Sequence, residues 1–115
     1  GDEIVAIGGH DQPFERRQFS SIDGARSSEV FAPSSRAWSP LPSMNSPRVS
    51  HTASVVNGLA IVCGGEQLGT LQVLQSVEVF DPALQTWSES RNMRLVRPRF
   101  GHAAVAVADG LLIIG

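Results

Sequence analysis

The sequence predicts an all-β protein assembled from blades of a β-propeller, each with four antiparallel strands. A short apolar run that ends in glycine occurs three times, as Ile4–Gly9, Ala60–Gly65 and Leu111–Gly115. A second pattern, Glu-Val-Phe-x-Pro followed by tryptophan, occurs twice between these runs. Four short antiparallel strands in a repeat of about 50 residues are typical of a propeller blade. The spacing predicts one complete blade and two partial ones.

The first unit, residues 1–48, is predicted to hold strands two to four of a blade. Its first strand, over residues 4–9, is apolar on both faces, and we expect it to be fully buried. Residues 10–27 are polar and show no periodicity, which predicts a long inserted loop of functional or disordered character. Two shorter strands follow, over residues 28–33 and 36–40.

The second unit, residues 49–100, is predicted to form a complete blade and the connector after it. Asn57-Gly58 is a strong hairpin signal because both central positions of such a turn require positive φ. The loop between strands two and three, residues 66–74, is shorter than its counterpart in the first unit. The tryptophan of each unit, Trp38 or Trp87, is expected to fill the space between adjacent blades as a large apolar side chain.

The two units differ in length within their connectors. At the offset that aligns Trp87 with Trp38, Met93 aligns with Met44, whereas Arg99 aligns with Arg48 only if two residues are inserted. The alignment therefore predicts a two-residue insertion after Met93.

The last unit, residues 101–115, is predicted to contain the first two strands of a third blade, joined by a turn at Asp109-Gly110. Incomplete first and last blades would leave strand edges unpaired, which favours aggregation. We therefore expect the remaining propeller blades in the same, longer chain.

Composition excludes several functional classes. The formal net charge is −2 and every basic residue is arginine, so no overall positive field would attract nucleic acid or an anionic membrane. The single cysteine, Cys63, lies in an apolar run and indicates a buried thiol in a reducing compartment. No apolar run is long enough to span a bilayer. These observations favour a cytoplasmic location.

The chain offers little chemistry for catalysis. His51 and His102 occupy the same repeat position, which favours a hydrogen-bonding role in each blade over a metal site. His10 lies in the inserted loop, where solvent exposure is the expected state. Glu29 and Glu78 fall one per blade, too far apart to act as a paired acid and base. With no phosphate loop and no nucleophile elbow, we predict no catalytic residue, no metal and no cofactor.

Taken together, these features resemble the kelch repeat: the apolar run ending in Gly-Gly, the Val-Glu-Val-Phe-Asp-Pro segment, the tryptophan, and Arg-x-x-His at the start of the next unit. Phenylalanine stands where the family usually has tyrosine, and Ala32 replaces an aspartate. The resemblance implies structural roles for the motif residues. These are Gly8, Gly9, Trp38, Arg48, His51, Gly64, Gly65, Trp87, Arg99 and His102.

The resemblance to kelch proteins also implies a function. It implies a non-catalytic protein–protein interaction module that presents loops to a protein partner, with a role in substrate recognition for a ubiquitin-ligase adaptor as one form. The alternatives are a scaffold for actin or other cytoskeletal partners, and a regulatory propeller fused to an enzyme such as a phosphatase. A copper-oxidase version of the fold would need tyrosine ligands, and this sequence has no tyrosine.

Two sets of non-repeating residues are candidates for partner binding. Aromatic side chains beside arginines are typical of interface hot spots. A disordered insertion would also explain the first set, and a solvated connector would also explain the second. The first set lies in the inserted loop, and the second lies in the connector to the third blade, where it would suit an acidic peptide or phosphate. The residues are Phe14, Arg16, Arg17, Phe19 and Arg26 in the loop, and Arg91, Arg94 and Arg97 in the connector.

Overall fold

A computed structural model describes residues 3–70 and 72–115, without the side chains of Gln18 and Phe19. The strands form sheets of three, four and two members that follow one another along the chain, and a smaller sheet of three short strands. The strands are β1 (Ile4–Ile7), β2 (Ser28–Ala32), β3 (Ala37–Leu41), β4 (Arg48–Val49), β5 (Thr52–Val56), β6 (Leu59–Cys63), β7 (Glu66–Gln67), β8 (Gln72–Val73), β9 (Val77–Asp81), β10 (Thr86–Glu89), β11 (Ala103–Val107) and β12 (Gly110–Ile114).

The four-stranded sheet is the complete blade, with the order β10-β9-β6-β5 and antiparallel pairing throughout. Asn57 and Gly58 join β5 to β6 with φ angles of 50° and 78°, so the predicted hairpin turn is confirmed. Strands β1-β2-β3 and β11-β12 form the two partial blades. The predicted fold class is therefore confirmed.

Strand β1 is not buried, so the prediction for residues 4–9 was wrong on this point. Ile4 and Val5 are 58% and 40% exposed. Within the described part of the chain, β1 pairs with β2 along one edge only. Its apolar side chains therefore lack the neighbours that cover the equivalent residues of β6, where Ile61 and Val62 are buried.

The insert between β1 and β2 contains regular structure that the sequence did not reveal. A 3₁₀ helix spans Phe14–Phe19, and a short helix, α1, spans Ile22–Arg26. Ser21 caps α1 because its hydroxyl accepts a hydrogen bond from the Gly24 amide at 2.9 Å. The 3₁₀ helix has six residues and is interrupted at Arg16, and α1 has five, so both are too short to show a helical period in the sequence.

The third sheet differs from its prediction in the position of its turn. Val107 pairs with Gly110, so the turn residues are Ala108 and Asp109, and Gly110 lies inside β12. Ala108 takes the positive φ, at 42°. The Asp109-Gly110 signal was therefore misplaced by one residue, because the strand register sets which residues lie at the turn.

The small sheet has the order β4-β7-β8. It joins the connector before the complete blade to the loop between β6 and β9, where we expected a loop without strands. Leu68 extends this junction, since its amide donates to the Pro47 carbonyl at 2.9 Å. The connector and this loop are thus held together by backbone hydrogen bonds.

A buried apolar cluster of Ile61, Cys63 and Val77 lies between the complete blade and the third sheet. Leu111 and Ile113 of the third sheet pack against it. Burial raises the pKa of the Cys63 thiol, so this cysteine is inert in the folded state. No helix in the described ranges is long and apolar enough to cross a membrane.

The two tryptophans occupy different environments. Trp87 stacks on Phe80, with ring centroids 5.2 Å apart, and its Nε1 donates to the Pro42 carbonyl of the preceding connector at 2.8 Å. Trp38 stacks on Phe31 in the same way but is 49% exposed. Of the two, Trp87 is the one that links one blade to the connector of another.

Replacing Trp87 with phenylalanine should lower the free energy of unfolding by about 0.5–1.5 kcal/mol, because it removes this hydrogen bond but keeps an aromatic ring. Urea denaturation measures the change. Trp38→Phe is the matched control, and a loss equal to that of Trp87→Phe would contradict a role for the Pro42 contact.

Candidate functional site

One end of the strands carries the longest connections of the chain. In the complete blade the tight turns after β5 and β9 lie at one end, so the β6–β9 connection and the connectors lie at the opposite end. We call this end the loop face, and define it as residues 10–27, 64–70, 72–76 and 90–99. Both sets of candidate partner-binding residues belong to it.

Within the insert 10–27, hydrogen bonds join residues 10–11 to residues 20–21. The Nδ1 atom of His10 lies 3.0 Å from the Ser20 hydroxyl. The Asp11 carboxylate accepts from the hydroxyl of Ser21 and, at 2.9 Å, from the Ser21 amide. These bonds lower the pKa of Asp11. These hydrogen bonds therefore close the part of the insert that runs from residue 10 to residue 21.

The insert presents an aromatic ring and cations to solvent. Phe14 is 77% exposed, and the guanidinium carbon of Arg17 lies 4.8 Å from its ring centroid. Arg16 is also exposed. Arg26 forms an ion pair with Asp23 at 3.0 Å, so part of its charge is already neutralised. The side chain of Phe19 lies outside the structural description.

The insert contacts the loop of the next blade. A β-carbon added at Gly69, between β7 and β8, would lie 3.5 Å from Cδ1 of Ile22 in α1. The same hairpin lines a cavity of about 300 Å³. Polar side chains dominate its lining, which includes Ser46, Gln67, Gln72, Gln75, Glu89 and Arg94. The loop face is thus continuous from the insert to the second connector.

The connector arginines lie on a turn that the first unit lacks. The Leu95 amide donates to the Gln75 carbonyl at 2.8 Å, as the Met44 amide donates to the Arg26 carbonyl at 2.7 Å. Leu95, rather than Met93, is therefore the counterpart of Met44. Met44 is buried and Met93 is 42% exposed, so the predicted Met93 match was wrong.

The two-residue insertion consequently lies between Ser90 and Leu95. The Arg94 amide approaches the Arg91 carbonyl at 3.4 Å, which closes the turn. Both arginines and Arg97 are exposed. None of the three forms an ion pair with a residue that the structure describes. The turn therefore brings Arg94 to the rim of the cavity, whose lining also includes Glu89.

A buried ion pair connects the first connector to the complete blade. Arg48 and Glu78 are each 0% exposed, and the guanidinium Nη2 lies 3.0 Å from the carboxylate. Arg48 Nη1 also donates to the carbonyls of Gly64 and Ser76 at 2.9 and 3.0 Å. Glu78 in turn accepts from the backbone amides of two connector residues at 2.7 and 3.1 Å. These amides belong to Asn45 and Ser46.

The same joint recurs one blade later. The Gly9 amide donates to the Arg48 carbonyl at 2.9 Å, and the Gly65 amide donates to the Arg99 carbonyl at 2.8 Å. Arg99 also donates to the Gly115 carbonyl at 3.0 Å, as Arg48 does to Gly64. These residues therefore hold neighbouring sheets together and are not available as a binding surface.

The histidines do not form a metal site with other ligands. His51 and His102 each contact the preceding sheet, while His10 lies in the insert. No group of three metal-ligating side chains occurs in residues 3–70 and 72–115. Glu78, which could have been taken for a catalytic carboxylate, has both oxygens occupied.

Comparison with known proteins agrees with the sheet pattern. A sequence profile of the Kelch motif matches residues 47–94, which include the complete blade. The chain is built of kelch repeats. Kelch-like protein 21 of Bos taurus is 32% identical over 85 residues, which cover 74% of this chain. Beta-scruin of Limulus polyphemus is 36% identical over 87 residues, or 75% of the chain.

A solved structure shows the kelch fold independently of close sequence similarity. The structure of YjhT matches with a TM-score of 0.68 and 18% identity, covering 76% of this chain and 27% of that one. The chain spans 14% of the length of Kelch-like protein 21 and 9% of that of Beta-scruin. The kelch repeats and these relatives support a protein-interaction module of the propeller type.

Proposed function

We propose that the chain is a non-catalytic interaction module that binds a protein partner through its loop face. The observation that supports this most is that the non-repeating parts of the chain lie together there. The insert 10–27 and the arginine turn 91–94 have no counterpart of equal length in the other unit, while the repeating residues are occupied in joints between sheets. A residue that builds every blade cannot distinguish one partner from another.

The chemistry of the loop face favours a partner with carboxylates and an apolar anchor. Phe14 supplies an exposed ring, and Arg17 lies against it. Arg94 lies at the rim of a cavity lined by amide side chains and by one carboxylate, that of Glu89. Arginine and aromatic side chains contribute strongly to binding when a partner covers them. The insert is closed by its own hydrogen bonds, so binding would not require it to fold.

A pull-down experiment tests the site. Phe14→Ala with Arg17→Ala should remove the main partners from an affinity purification analysed by mass spectrometry, with at least about a tenfold loss for each, as expected when a hot spot is truncated. Leu84→Ala is the matched control, because Leu84 is 70% exposed at the opposite end of the strands. An unchanged partner list with an intact circular dichroism spectrum would contradict the proposal.

We further propose that the module recognises substrates for a ubiquitin-ligase adaptor. The resemblance to kelch proteins supports this role, and the similarity to Beta-scruin keeps a scaffold as the second candidate. An adaptor shortens the lifetime of what it binds, so the loop-face variant should raise the abundance of the lost partners in cells. Loss of binding with unchanged partner abundance would favour the scaffold.

A further inference from the structure

Two histidines connect successive sheets through their Nε2 atoms. His51 Nε2 lies 2.8 Å from the carbonyl oxygen of Ile7 in β1. Because a carbonyl only accepts, this nitrogen carries the proton of the neutral ring. His102 Nε2 lies 2.9 Å from the hydroxyl of Thr52 at the start of β5. Each histidine thus ties the start of one sheet to the sheet before it.

The other ring nitrogen of each histidine, Nδ1, lacks a hydrogen-bond acceptor for an added proton in the described part of the chain. The Nδ1 atoms of His51 and His102 are buried and have no hydrogen-bond partner among the residues described. His51 is also closely packed: a β-carbon at Gly8 would lie 2.9 Å from its Cε1, and one at Gly65 would lie 2.9 Å from its Cβ. Protonation would therefore create a buried cation whose new N–H finds no acceptor.

The charged groups near the histidines oppose protonation as well. His51 faces Arg48 of the connector and His102 of the next joint, and the first sheet offers it only the Ile7 carbonyl. His102 faces Arg99. The carboxylate of Glu78 is held by Arg48 and by two connector amides. No carboxylate in the described part of the chain hydrogen bonds to either histidine.

We propose that His51 and His102 make the joints between successive blades acid-sensitive, so that proton uptake at Nδ1 separates sheets that the neutral rings hold together. The site is built into the repeat and does not depend on the proposed function. Relief of the buried cation requires the ring to leave its place, and that movement removes a link between two sheets without breaking a strand ladder.

The direction of the pH dependence follows from the surroundings of the rings. Burial lowers the pKa of both histidines, and the Arg48 and Arg99 charges lower it further, against the raising effect of the Ile7 and Cys63 carbonyls. A lowered folded-state pKa means that the unfolded chain binds more protons. The histidines therefore stabilise the joints above the ordinary value of 6.5, and this contribution is lost as the pH falls below it.

Cys63 is a natural reporter of the second joint. Its side chain is buried in the cluster against which Leu111 and Ile113 pack, and its carbonyl faces His102. We expect labelling of Cys63 by 4,4′-dithiodipyridine to be slow at about pH 7.5 and about tenfold faster at about pH 5.5, a factor that corresponds to one pKa unit. Rates are divided by those of the urea-unfolded protein at each pH, which removes the titration of the thiol itself.

Two variants separate the joints from other histidine effects. His102→Gln keeps an N–H donor but cannot titrate, so the labelling of Cys63 should no longer accelerate in acid. His10→Gln is the matched control, because His10 hydrogen bonds within the insert, and its pH response should equal that of the unmodified protein. Protection of Cys63 that does not change with pH, or an unchanged response in His102→Gln, would overturn the proposal.

A measurement on the unmodified protein covers the case in which His102→Gln does not fold. Nitrogen-15 NMR of the histidine rings follows the titration of Nδ1 directly. We expect His51 and His102 to titrate below the ordinary value of 6.5, with loss of the inter-sheet contacts as they do. Titration of both rings near 6.5 with Cys63 still protected would show that the joints tolerate the proton, and the proposal would be wrong.

Discussion

Replacing Glu78 with glutamine is expected to lower the free energy of unfolding by about 3–5 kcal/mol. The substitution leaves the guanidinium of Arg48 buried without a compensating charge. It also weakens the acceptor for the connector amides at Asn45 and Ser46. Urea or thermal denaturation measures the loss.

Glu29 provides the matched control for this substitution. It occupies the same repeat position as Glu78 but is exposed in the first sheet. Glu29→Gln should change stability by no more than about 0.5 kcal/mol. If both variants lost the same stability, the repeat position rather than the buried ion pair would be responsible.

Replacing Gly64 with alanine should cost about 2–5 kcal/mol, through left-handed backbone strain and overpacking. Gly64 has a φ of +63°, and a β-carbon there would lie 2.6 Å from the Arg99 carbonyl oxygen. That oxygen accepts the hydrogen bond from Gly65 that joins two sheets. Relief of the clash therefore requires the joint to open.

Replacing Gly101 with alanine separates the cost of backbone strain from the cost of the contact with Arg99. It has the same φ of +63°, but a β-carbon there would meet nothing within 4 Å. Gly101→Ala should therefore cost only the backbone strain, about 1–2 kcal/mol. Equal losses for Gly64→Ala and Gly101→Ala would show that the contact with Arg99 is unimportant.

Local signals predicted the parts of the fold that depend on neighbouring residues. The Asn57-Gly58 turn was found because both residues suit positive φ, and β9 coincides with the repeated Glu-Val-Phe-x-Pro pattern. The predicted position of a turn was wrong where the local turn signal disagreed with the pairing of the strands. Gly110 is a turn residue by type but lies in β12, because pairing with Val107 places the turn one residue earlier.

Contacts that are distant in sequence could not be predicted. Arg48 and Glu78 are 30 residues apart, and nothing in either segment indicates that the two side chains meet. The same holds for the cavity beside Arg94, which combines three separate segments. The candidate partner-binding residues were chosen by composition, and only the strand topology shows that the insert and the arginine turn share one end of the blades.

The Arg48–Glu78 pair also bears on how such a chain gains stability. The connector that ends the first blade is completed by a carboxylate from the third strand of the next, so the first blade is stabilised by its successor. Stability in stacked repeats is then governed by nearest-neighbour coupling. A cut at a blade boundary would remove a buried charge from the joint upstream of it, and the units would melt together rather than one at a time.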